Sequence, residues 1–149
     1  MIWNDKDLLL KDLCARLPYG VKVHLLLPET MENGYTLTEV NTEGTTVGVF
    51  LYRGDDSRAF RAVRIENEDG EQSIKPYLRP MSSMTEEEEK EYYTDELTVP
   101  TSNGGYDWYS TPTFRGVDWL NAHHFDYRGL IEMGLAIEVT KENNPYERF

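Results

Sequence analysis

The sequence predicts an α+β fold: an N-terminal helix packed on a small antiparallel β-barrel or curled sheet, followed by short C-terminal helices and a final strand. Three observations predict it. Leucines recur at helical spacing between residues 4 and 17. Apolar residues alternate in short runs between 21 and 78, each run bounded by a turn signal. After residue 115 the pattern becomes helical again and ends in a short alternating run.

Residues 4–17 read as a helix with Asn4 as N-cap and Asp7 in its first turn, where an acid suits the helix dipole. Leu9, Leu10, Leu13, Cys14 and Leu17 form its apolar stripe, which places Cys14 in the core. Pro18 and Gly20 end it. Five runs then read as strands: "VKVHLLL", "YTLTEV", "TTVGVFLY", "RAFRAVRI" and "SIKPYL". The turns between them are "MENG", "NTEG", "RGDDS" and "NEDGEQ". Short strands at this spacing suggest closure, and an SH3-like barrel is the nearest pattern.

"MTEEEEKEYY" opens a short helix, with Thr85 and Glu88 at capping-box spacing and an acidic, solvated face. Residues 94–115 show no period, and a loop this long is usually functional or mobile. "GVDWLNAHHF" reads as a helix. "DYRGLIEMG" reads as a second, with Asp126 as N-cap accepting backbone N–H groups and Gly134 in the left-handed position after its end. "LAIEV" is the final strand and "TKENNPYERF" a frayed tail. The whole chain, 1–149, reads as one domain. Residues 1–80 supply the helix and sheet, and 81–149 an acidic, aromatic-loop and helical part.

Composition narrows the function. No apolar run approaches the roughly 20 residues of a membrane helix, and the first residues lack the basic start of a secretory signal. One cysteine excludes an intramolecular disulfide. A cytoplasmic protein without a membrane partner is expected. The net charge is −12: residues 1–80 hold 10 Lys/Arg against 13 Asp/Glu, and residues 81–149 hold 5 against 14. An acidic half repels nucleic acid, so direct nucleic-acid binding is not expected, and a basic protein is the natural complement.

No catalytic or metal constellation emerges. His123 and His124 are adjacent, so on a helix they point about 100° apart and rarely ligate one ion. Phosphate-binding glycine loops and the G-x-S-x-G elbow are absent from the sequence. Arg53, Arg58, Arg61 and Arg64 are the only local basic density, suited to phosphate or to the chain's own Glu86–Glu89 run. Two helices before a strand invite a winged-helix reading, but the second would offer only Arg128 to bases. Neither a cofactor nor a metal is expected. The candidate contact residues are the loop aromatics Tyr106, Trp108, Tyr109 and Phe114, with Glu86, Glu87, Glu88 and Glu89 of the acidic segment.

Three blocks, "LLLKDLCARLPYGVKV", "IKPYLRPMSSMTEEEEKEY" and "DWLNAHHFDYRGLIEMGLAIEV", cover about 40% of the chain. In this order they resemble an uncharacterised family of small acidic proteins from phages, prophages and mobile elements of gut anaerobes. The resemblance implies that setting and carries over neither an activity nor catalytic residues. The expected function is a non-enzymatic intracellular protein-interaction module. The alternatives are an acidic DNA mimic that inhibits a host nuclease or restriction system, and an enzyme of unrecognised type.

Overall fold

The computed structural model describes residues 3–26, 35–41, 43, 45–53, 57–107 and 110–146. The "MENG" turn and the tip of "RGDDS" lie outside these residues. Helix α1 spans Trp3–Arg16, so Asn4 sits inside it and not at its cap. Five strands follow: β1 (Lys22–Leu25), β2 (Tyr35–Asn41), β3 (Thr46–Arg53), β4 (Ser57–Arg64) and β5 (Ile74–Pro80). Helix α2 is Glu86–Tyr92 and α3 is Phe114–Ala122; β6 (Phe125–Asp126) and β7 (Ile137–Glu138) follow.

The fold is α+β, as the periodicity predicts, but the sheet is open and mixed, without SH3-like closure into a barrel. Its order is β4-β3-β2-β1-β5-β6, with β7 also paired to β5. β1 to β4 form an antiparallel meander, and β5 returns beside β1. The antiparallel expectation fails at the end of the chain, because β6 and β7 both run parallel to β5. A parallel neighbour needs a long crossover. Residues 81–124, with α2 and α3, are that crossover, so the acidic half is an excursion from the sheet that returns to it.

The main core packs Leu9 and Leu13 of α1 on Val21, Val23, Leu37, Val49, Ile74 and Leu78 of the sheet, with Leu130 and Leu135 closing one side. Cys14 is exposed, contrary to the predicted stripe. The buried face of α1 is turned toward Asp12 and Arg16, both at zero exposure. The Arg16 Nε donates to Asp12 at 2.8 Å, and its Nη2 donates to the Phe125 carbonyl at 2.7 Å. Arg128 stands 3.3 Å from the other Asp12 oxygen. An internal ion pair, invisible to a hydrophobicity pattern, sets the rotation of the helix and leaves Cys14 outside.

The predicted second C-terminal helix is a series of turns. Gly129, at φ 80°, breaks helical geometry immediately. Asp126 does accept backbone N–H groups, those of Leu130 and Ile131 at 2.9 Å each, and Gly134 is left-handed. The tail is not frayed at Tyr146. Its hydroxyl accepts from the Lys22 N–H at 3.0 Å and donates to the Tyr77 carbonyl at 2.7 Å. The β1–β5 register pairs Val23 with Pro76, so Lys22 and Tyr77 come next to face each other. A side-chain hydroxyl therefore completes the ladder where the two strands part.

Removing one partner of a buried ion pair strands the other charge. Arg16→Ala should lower stability by about 4 kcal/mol. Cys14→Ser should change it by less than about 0.5 kcal/mol. Urea denaturation of both variants checks the assignment.

Candidate functional site

The crossover builds a second, smaller core from Met84, Tyr92, Leu120 and Phe125, with Trp119 and Tyr93 packed against it. Thr85 caps α2 through the predicted capping box: Glu88 N–H donates to its hydroxyl, and its own N–H donates to the Glu88 carboxylate. The same carboxylate takes both Arg79 Nη groups, at 2.8 and 2.6 Å. Glu88 thus pairs with Arg79 of β5. Glu88 and Tyr92, four residues apart, form the inward face of an otherwise acidic helix. Tyr92 stacks on Trp119 at 5.2 Å, and Trp119 on Phe125 at 5.8 Å.

The stretch 94–113 is held at its base, where Thr98 bridges Pro112 and the Val99 N–H donates to the Thr111 carbonyl. Thr113 caps α3 by accepting the Gly116 N–H. Gly116 has no space for a side chain: a Cβ there would lie 1.9 Å from the Leu97 carbonyl oxygen. This contact presses α3 onto the loop.

Among the described residues two cavities lie beside this core. A groove of about 760 Å³ has a floor of Met84, Tyr92, Tyr93, Tyr127 and Ile131 and carries the carboxylates of Glu89, Glu132 and Glu138. Among the described residues neither Lys nor Arg lines it. A smaller polar pocket of about 450 Å³ is lined by Arg79, Glu88, His123, His124 and Tyr146. There His123 Nδ1 lies 3.6 Å from Glu88, and the His124 ring stacks on Tyr146 at 3.8 Å. His124 is left-handed, at φ 63°, and its carbonyl accepts the Arg79 N–H. His124 and Asp126 thus serve different cavities, and both Asp126 oxygens are engaged by backbone.

The predicted contact residues are dispersed. Glu89 lines the groove, and Glu86 and Glu87 are exposed on α2. Tyr106 packs on Tyr93 with ring centroids 6.4 Å apart and donates to the Asp95 carboxylate. Phe114 opens α3 at 94% exposure and takes no part in the groove. Trp108 and Tyr109 lie outside the described residues. The sequence reading missed Tyr92, Tyr93, Tyr127 and Ile131. The available signal was the "EYY" ending an acidic helix, whose aromatic rings need cover. Among the described residues no helix is long and apolar enough to cross a membrane. Neither a family model, nor a curated protein, nor a solved structure matches this chain.

Acid should act on the polar pocket in two steps. Burial, reinforced by Arg16, His123, Arg79 and Lys22, lowers the His124 pKa from 6.5 to about 4. The unfolded chain binds that proton first, so stability falls as pH drops from 6.5 toward 4. The Arg79 hydrogen bond lowers Glu88 from 4.5 to about 2, giving stability that is present above 4.5 and lost toward 2. In urea titrations across pH, His124→Asn should remove the upper step and Glu88→Gln the lower. Gly116→Ala should cost about 3 kcal/mol at all pH values, because backbone must move to admit a methyl group.

Proposed function

We propose that the protein is a non-enzymatic interaction module that docks a basic segment of another protein in the groove beside α2. One observation carries the reading: an aromatic and aliphatic floor is rimmed by carboxylates, with neither Lys nor Arg among the described lining residues. Apolar floors supply affinity, and charge at the rim selects partners and steers their approach. The net −9 of residues 81–149 extends the same sign over the surrounding surface. Intracellular action in a phage or mobile-element setting belongs to this proposal and rests on the resemblance of the three sequence blocks.

A second reading has its own observation. Glu86, Glu87, Glu89 and Glu91 are all exposed on one short helix, as a mimic of nucleic-acid phosphates requires. Its partner would be a basic nuclease or restriction enzyme, gripped by α2 and not by the groove.

One experiment separates the two. The tagged protein is expressed in its host, and stoichiometric partners are identified by mass spectrometry at low and high salt. Glu132→Lys with Glu138→Lys, both exposed at the groove rim, should weaken a groove-bound partner by about tenfold or more, since like charges would then face each other. The melting temperature should be unchanged. A partner indifferent to these changes but lost on neutralising Glu86 and Glu87, which lie outside the groove lining, would transfer the function to α2. A partner indifferent to both sets would sink both readings.

A further inference from the structure

We propose that the corner beside the groove, where Tyr106 packs on the groove residue Tyr93, is a receptor for an arginine side chain of the partner, with Glu89 of the groove and Asp95 next to Tyr106 as its carboxylates. The inference rests on the groove reading above and names what the groove selects.

The protein repeats one local unit: a guanidinium lies against an aromatic ring while a carboxylate holds it. Arg16 and Arg128 lie over the Tyr127 ring, 5.3 and 5.1 Å from its centroid, and both reach Asp12. Arg79 lies over Phe125 at 4.1 Å and is held by Glu88. The Tyr93–Tyr106 corner has the same parts without the cation. The rings are tilted by 42°, and the Tyr92 edge abuts Tyr93 at 5.0 Å. Asp95 accepts from the Tyr106 hydroxyl, and Glu89 is exposed one helical turn before Tyr93. Burial raises the Tyr93 pKa, and the charges of Glu89 and Asp107 push the same way, so the potential at this ring is negative. Among the described residues no guanidinium lies over either ring. Arg115 is held by Glu96, the neighbour of Asp95 in the chain.

Arginine fits this corner better than lysine. A planar guanidinium stacks on one ring while its remaining N–H groups reach carboxylates. An ammonium can sit over a ring, but as a compact, strongly hydrated point charge it has no plane to stack and no fork to reach carboxylates at the same time. A ring face flanked by carboxylates therefore favours Arg next to an apolar residue that can enter the groove.

The test starts from random peptides displayed on phage and selected on the intact immobilised protein. Enriched sequences should carry Arg beside Leu, Met or an aromatic residue. In a synthetic copy of the best binder, replacing that Arg by the neutral isostere citrulline should weaken binding by about tenfold. Glu89→Gln should weaken the arginine peptide and leave the citrulline peptide unchanged, a coupling that mere loss of folding would not produce. Enriched peptides indifferent to citrulline, yet lost on Glu132→Lys with Glu138→Lys, would overturn the arginine receptor and leave the groove reading standing. Enrichment no better than on a blank support would overturn both.

Discussion

A guanidinium excluded from solvent fixes how the halves of this protein meet. Arg16 leaves the end of α1 and binds the carbonyl of Phe125, 109 residues away. Its partner Asp12 is also fully buried and faces Arg128 from the loop after β6. Apolar contact alone would let α1 slide on the sheet, because burial is non-directional. A forked donor aimed at one carbonyl and one carboxylate does not slide. The arrangement is costly: burial raises the Asp12 pKa even against the pull of two arginines, and Arg16 Nη1 has no hydrogen-bond partner. Its structural return is a defined position for β6 and the loop behind it.

The groove follows from that position. β5 has an antiparallel neighbour in β1 and parallel neighbours in β6 and β7. Everything between β5 and β6 must leave the sheet and come back. Arg79 sits at the root of this excursion, paired in register with Phe125 and gripping Glu88 of α2. Arg16 thus ties α1 to β6, and Arg79 ties α2 to β5. Gly116 then lets α3 close on Leu97. With α2, α3 and the 126–132 loop each pinned at one point, the space between them has fixed walls.

Local features of the fold were legible in the sequence, and those that depend on distant partners were not. The β1 to β5 strands follow from alternation, the α2 cap from Thr85 and Glu88, and the capping role of Asp126 from a carboxylate placed before free N–H groups, although turns and not the expected helix follow it. The exposure of Cys14 depends on an ion pair between two residues that any hydrophobicity pattern scores as surface. The order in the tail depends on Tyr146 reaching Tyr77, 69 residues earlier. The parallel pairing of β6 and β7 rests on two residues each, too short for a period to register. For the groove, Glu89 was visible as an acidic residue. That α2 presents Tyr92 and Tyr93 to a common cavity required the fold.

The sign of the groove is a consequence of how the fold is stapled. Of the described arginines in or next to the acidic half, Arg79, Arg115 and Arg128 all stand at ion-pair distance from the chain's own carboxylates. Arg79 and Arg128 also cover aromatic rings. These cations hold elements together and are not available to neutralise the rim. Residues 81–149 carry 14 acids against 5 basic residues, so the unmatched carboxylates accumulate on the surface outside the staples. Like charges held close repel one another, and an opposite charge brought from outside relieves that repulsion. A cation from a partner would therefore gain at the groove both a ring face and a field that Arg79, Arg115 and Arg128, fixed by folding, leave unscreened.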